Sequence, residues 1–129
     1  MKSNERQRIL VIEDHDCVAE YLKIHLEAQG HEVRAVPTGE QGLEIADQFQ
    51  PSVVLCDLTL PGIDGYTVAR ILRHHPSLSG TRFIAMTGYK LDRFELQAAG
   101  FEHGLSKPFT SQDLWRALAL PPQPAANGV

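Results

Sequence analysis

Three short runs of uninterrupted apolar residues punctuate the chain: Ile9-Leu10-Val11-Ile12, Val53-Val54-Leu55-Cys56 and Phe83-Ile84-Ala85-Met86. Runs of this length and β-branched character predict strands buried on both faces. His31 to Val36 alternates and predicts a further short strand, and a weak fifth strand extends from about Glu102 to Ser106. Between these segments the apolar residues recur at helical spacing. Val18, Tyr21, Leu22 and Leu26 fall on one face of a helix from about Cys17 to Gln29, with Gly30 where a C-cap is expected. Thr38 can cap the next helix, whose apolar side is Leu43, Ile45, Ala46 and Phe49. A third helix from about Gly65 to His74 turns Val68, Ala69, Ile71 and Leu72 inward. A fourth runs from Leu91 to Ala99, stopped by Gly100, and a fifth from Ser111 to about Leu120 presents Leu114, Trp115 and Leu118.

Five strands alternating with five helices imply right-handed crossovers and a parallel sheet covered on both faces. The 129 residues suit one domain, and 43% hydrophobic residues supply a core without disulfides or metals. The domain is expected over residues 8–120, after a short extension at 1–7. The stretch 121–129, PPQPAANGV, reads as a disordered tail or linker.

The net charge of −4, with both signs interspersed, argues against nucleic-acid binding through a basic surface. Cys17 and Cys56 form no metal-ligand spacing. The start lacks a signal-peptide pattern, and no stretch approaches the ~20 apolar residues of a membrane span. A cytoplasmic protein with no membrane partner is expected.

The candidate chemistry lies where the strands end. Asp57 closes the third strand and is followed by the Pro- and Gly-rich loop Leu60-Pro61-Gly62-Ile63-Asp64-Gly65, the place where open α/β sheets hold their ligands. Glu13 and Asp14 close the first strand, Thr87 the fourth and Lys107 the fifth. In a parallel sheet these ends share one edge. Three carboxylates gathered there would repel one another unless a hard divalent cation sat among them, and Mg²⁺ suits oxygen ligands and phosphate chemistry. With Asp57 as nucleophile, Lys107 and Thr87 could stabilise the charge of a transferring phosphoryl group.

The pair Glu13-Asp14, the Asp57 stretch, Met86-Thr87-Gly88 and Lys107-Pro108-Phe109 together resemble the receiver domain of two-component response regulators. The similarity covers roughly residues 8 to 120, and the run after Thr87 looks most like receivers attached to hybrid histidine kinases. The resemblance implies a flavodoxin-like fold with strand order 2-1-3-4-5. It also implies a regulatory phosphoacceptor rather than an enzyme, with self-catalysed phosphotransfer and autodephosphorylation.

By the same resemblance a histidine kinase or histidine phosphotransfer protein would donate a phosphoryl group to Asp57. Asp14, Asp57 and the main-chain carbonyl of Thr59 would hold Mg²⁺, with Glu13 assisting through water. Lys107 would contact the phosphoryl oxygens, Thr87 would move toward them, and the Lys107-Pro108 bond would be cis. The surface of the fourth helix, fifth strand and fifth helix would engage a protein target, in a monomer or weak homodimer.

One position departs from the family pattern. Many receivers carry an aromatic residue three positions before the lysine, whose rotation reports on the switch threonine, and here Gly104 stands there. That substitution raises a rival reading, a phosphorylation-independent interaction module, for which partner binding would be unchanged by Asp57→Ala. An aspartyl-phosphate hydrolase would need a second carboxylate two residues after Asp57, where Thr59 stands.

Other residues have plainer expectations. Cys56 belongs to the core, His15 to a solvated loop, and His74-His75 to a helix C-terminus. Tyr89, Leu91 and Phe94 compete as partner surface and core, with core favoured for Leu91 and Phe94.

Overall fold

The computed structural model describes residues 6–119. Its elements alternate as the hydrophobic pattern predicts: β1 Arg8–Ile12, α1 Asp16–Ala28, β2 Glu32–Val36, α2 Gly39–Phe49, β3 Val53–Asp57, α3 Gly65–Arg73, β4 Arg82–Thr87, α4 Arg93–Ala99, β5 His103–Ser106 and α5 Ser111–Ala119. A 3-10 turn, Pro76–Leu78, precedes β4. The five strands are parallel in the order β2-β1-β3-β4-β5, the flavodoxin-like arrangement.

The continuous apolar runs are explained by burial on two sides. Leu10 and Ile12 of β1, Val54 and Cys56 of β3, and Phe83 and Ala85 of β4 enter one core beneath α2, α3 and α4. Their neighbours Ile9, Val11, Val53, Leu55, Ile84 and Met86 enter the other beneath α1 and α5. Side chains alternate along a strand, so a central strand needs an apolar residue at every position. Each fully buried Leu or Ile contributes roughly 2 kcal/mol.

Helix ends follow local chemistry. Thr38 Oγ1 accepts the Gln41 N–H at 3.1 Å, Asp64 Oδ1 accepts the Thr67 N–H at 2.9 Å, and Asp92 Oδ1 accepts the N–H groups of Phe94 and Glu95. The Asp92 cap starts α4 at Arg93 rather than at Leu91. Gly100 ends it with a φ of 104°.

Three apolar residues depart from the expected inward faces. Tyr21 of α1 and Ile71 of α3 are exposed, and Phe94 of α4 is 85% exposed. Phe94 lies in the first turn of α4, two residues after the Asp92 cap, whose side chain accepts its N–H. Leu91 does pack against the core. Leu114 is buried, whereas Trp115 and Leu118 only border the core. The expected positions of Leu120 and of 121–129 lie outside the described residues.

Among the described residues no helix is long and apolar enough to cross a membrane.

Candidate functional site

Parallel pairing delivers the ends of β1, β3, β4 and β5 to one edge of the sheet. Register sets Ile12 beside Cys56, Asp57 beside Met86, and Thr87 beside Ser106. The chain leaves these strands under backbone control. The Glu13 N–H donates to the Val36 carbonyl at 3.0 Å, the Leu58 N–H to the Met86 carbonyl at 2.9 Å and the Lys107 N–H to the Thr87 carbonyl at 2.7 Å. The Lys107-Pro108 peptide is cis.

Gly65 lets α3 begin directly against Asp57. A Cβ at this position would stand 2.9 Å from Leu58 Cα and 3.1 Å from the Asp57 carbonyl carbon, closer than a side chain tolerates.

The functional groups meet around Lys107. Its ammonium donates to Glu13 Oε1 and to Asp57 Oδ2, each at 2.7 Å. Glu13 and Asp57 are nearly sealed from solvent, at 1% and 3% exposure. Burial opposes the charge on Lys107, but its hydrogen bonds to Asp57 and then Glu13 outweigh that and hold the ammonium above its ordinary pKa. The other Asp57 oxygen, Oδ1, accepts the Thr59 N–H at 2.8 Å. Both oxygens of Asp57 are thereby fixed in direction. Burial first, and then the charges of Asp57 and Glu13, push the Cys56 thiol well above the usual range, so Cys56 is a neutral core residue.

The carboxylates of Glu13, Asp14 and Asp57 outnumber the one ammonium, leaving a formal charge of −2. Asp14 Oδ1 is buried with no hydrogen-bond partner, which is costly for a charged oxygen. One donor atom from each of Glu13, Asp14, His15 and Asp57 lies within 4.8 Å of the others. An orphaned anionic oxygen in a cluster of this charge and spacing fits a divalent cation with oxygen ligands, and Mg²⁺ meets that description.

The structure therefore brings together Glu13, Asp14, Asp57 and Lys107, with Thr59 attached through its N–H. Thr87 is buried at the adjoining strand end, but its hydroxyl accepts the Tyr89 N–H at 3.0 Å and so belongs to the loop after β4.

Sequence reasoning missed two contacts. It gave Glu13 no direct partner, yet Glu13 receives Lys107. The His15 side chain is 69% exposed, as expected of a solvated residue, but its Nδ1 also lies 3.0 Å from Glu13 Oε2, a contact not foreseen. The adjacency Glu13-Asp14-His15 was the available signal. His74 does meet its expectation, with Nδ1 2.7 Å from the Arg70 carbonyl oxygen of α3. At Gly104 the space above the backbone is occupied: a Cβ there would lie 2.8 Å from Leu91 Cδ2 and 3.0 Å from Leu96 Cδ1.

Comparison with known proteins agrees with this geometry. The family described as "Response regulator receiver domain" matches residues 9–119. The chain is 36% identical over 113 residues to the DNA-binding response regulator MtrA of Mycobacterium tuberculosis, covering 84% of this chain and 47% of that protein. It is 32% identical over 111 residues to the DNA-binding dual master transcriptional regulator RpaA of Synechocystis, covering 83% and 45%. The chain thus spans about half the length of the curated relatives it matches.

Among solved structures it resembles the receiver domain of a sensor histidine kinase from Pseudomonas aeruginosa, described with a magnesium ion coordinated in the active site cleft. That match has a TM-score of 0.78 and 31% identity, covering 87% of this chain and 93% of the other. A CheY-like response regulator receiver domain protein from Methanospirillum hungatei matches with a TM-score of 0.80 and 26% identity over 88% and 91% of the two chains.

Proposed function

The chain belongs to the response regulator receiver domain family, and from that premise we propose that Asp57 accepts a phosphoryl group from a phosphohistidine with Mg²⁺ in the acidic pocket. The donor is a histidine kinase or a histidine phosphotransfer protein. The observation that carries this reading is the ammonium of Lys107 held 2.7 Å from Asp57 beside the orphaned oxygen of Asp14.

In the transfer, an Asp57 carboxylate oxygen forms a bond to phosphorus as the donor's phosphorus–nitrogen bond breaks. The electron pair of that bond returns to the imidazole. Asp57 needs no general base, because a carboxylate is already a nucleophile. The N–H of Thr59 holds one oxygen of Asp57 and so aims the other. Lys107 exchanges its contact with Asp57 Oδ2 for the phosphoryl oxygens, where its charge offsets theirs. Glu13 keeps the ammonium in place through the second contact.

Asp14, Asp57 and the main-chain carbonyl of Thr59 are assigned to the cation, with Glu13 at its edge. Bound Mg²⁺ supplies charge neutralisation for the phosphoryl oxygens. Thr87 turns its hydroxyl from the Tyr89 N–H to a phosphoryl oxygen, which frees the loop leading to α4. The face of α4, β5 and α5 then passes the change to a protein partner. β5 is an edge strand, and it joins the site through the Thr87–Ser106 register.

The test is the intact mass after incubation with acetyl phosphate, with and without Mg²⁺. One phosphoryl adduct that requires Mg²⁺ and is absent from Asp57→Asn is expected. Folded protein that forms no adduct with acetyl phosphate or with a phosphorylated kinase would contradict the proposal.

A further inference from the structure

The acidic pocket contains a donor that an all-oxygen magnesium site does not need. His15 occupies the N-cap position of α1, yet its side chain makes no capping hydrogen bond. Its ring turns instead toward the carboxylates. Nδ1 stands 3.0 Å from Glu13 Oε2 and 3.6 Å from Asp14 Oδ1, the buried oxygen that has no hydrogen-bond partner. Two ligands of a single ion, each at about 2.1 Å, are separated by about 3.0–3.4 Å in octahedral or tetrahedral geometry. The separation from Glu13 falls at the lower end of that range, and that from Asp14 lies just above it. Asp57 completes the group, whose four donor atoms are mutually within 4.8 Å.

Ligand chemistry gives this arrangement a consequence. Mg²⁺ demands oxygen ligands and gives up its waters reluctantly, so an imidazole adds little to its binding. Divalent ions of the first transition row accept imidazole nitrogen readily, and their affinities for such sites rise along the row to copper. Resting on the cation-site reading given above, we propose that His15 donates Nδ1 to the pocket's cation and makes the site select a first-row transition ion, Mn²⁺ or a later member, over Mg²⁺. Glu13 and Asp14 contribute the adjoining oxygens. His15 is a metal-selecting residue here, and Asp57 remains the phosphoacceptor with either ion.

The experiment is a calorimetric titration of the full chain with MnCl₂ or MgCl₂ alone, paired with electron spin echo spectroscopy of the Mn²⁺-loaded protein. Wild type, His15→Asn, His15→Gln and Asp14→Asn are compared. Wild type is expected to bind Mn²⁺ at least about ten-fold more tightly than Mg²⁺, and both His15 variants to lose about ten-fold in Mn²⁺ affinity while Mg²⁺ affinity is unchanged. The wild-type echo should carry the modulation of a coordinated imidazole nitrogen, and the His15 variants should lack it. Asp14→Asn should weaken both ions.

Equal Mn²⁺ affinity in wild type and both His15 variants, without nitrogen modulation, would overturn the role of His15 and leave the cation site standing. Failure of wild type to bind either ion would overturn the cation site and this inference with it.

Discussion

The two edges of the sheet handle charge in opposite ways. At the amino edge Arg8 and Arg82 have carbonyl and carboxylate partners that tie elements together. Arg8 donates to the Phe49 carbonyl at the end of α2 and to Glu32 Oε1, the latter at 2.8 Å. Arg82 donates to Glu102 Oε2 at 2.7 Å and to the carbonyls of Leu118 and Ala117, at 2.8 and 3.2 Å, which closes the last turn of α5. At the carboxyl edge Glu13 and Asp57 share one lysine, and a buried oxygen of a third carboxylate, Asp14, is left without a partner. One edge spends its charges on holding the fold, and the other keeps an imbalance that a ligand can relieve. Strain of this electrostatic kind is what a binding site retains and a structural edge removes.

The contrast between the two edges is largest at Lys107. Lys107→Ala leaves Glu13 and Asp57 buried with no ammonium, and loss of one partner of a buried pair costs about 3 kcal/mol. Urea unfolding in divalent-free buffer should register that loss, and added Mg²⁺ should recover part of it. A substitution that cost nothing would mean that the carboxylates are not held by Lys107.

Arg82→Ala comes next. It removes the α5 clamp, a group of charge-assisted hydrogen bonds on a side chain that is 27% exposed, and should cost about 2 kcal/mol. It should leave phosphorylation of Asp57 intact. Equal damage to stability and to phosphorylation would erase the distinction between the edges.

The smallest effect belongs to His31, at the amino edge. Burial holds this imidazole below its ordinary pKa, and Nδ1 accepts the Gln7 N–H at 3.0 Å. The unfolded chain therefore takes up the proton first as pH falls. The contribution of His31 is present above the ordinary value of 6.5 and is lost as pH drops through it toward the lower folded value. Stability of wild type should fall over that window in chemical denaturation, and the fall should be shallower in His31→Gln.

The fold was legible because its central strands carry apolar residues at every position. Ile9 to Ile12 and Val53 to Cys56 have no other stable placement than between two layers of helices. The site was legible for a related reason, since a parallel sheet carries Asp57, Asp14 and Lys107 to one edge however far apart they lie in the chain. Helix faces were less so. Ile71 has the right spacing for burial, but a nine-residue α3 covers the sheet with only its Val68, Ala69 and Leu72 side.

Contacts set by rotamers were not legible at all. Nothing in the order of residues directs the ring of His15 onto Glu13, or Leu91 into the space over Gly104, because both depend on how a loop crosses the end of the sheet.

The most direct test of the carboxyl edge is the position of the phosphoryl group. Protein treated with acetyl phosphate and Mg²⁺, then reduced with borohydride and digested, should yield homoserine in place of aspartate at residue 57 alone. Reduction at another carboxylate, or at none in folded protein, would contradict the assignment of Asp57 as the phosphoacceptor.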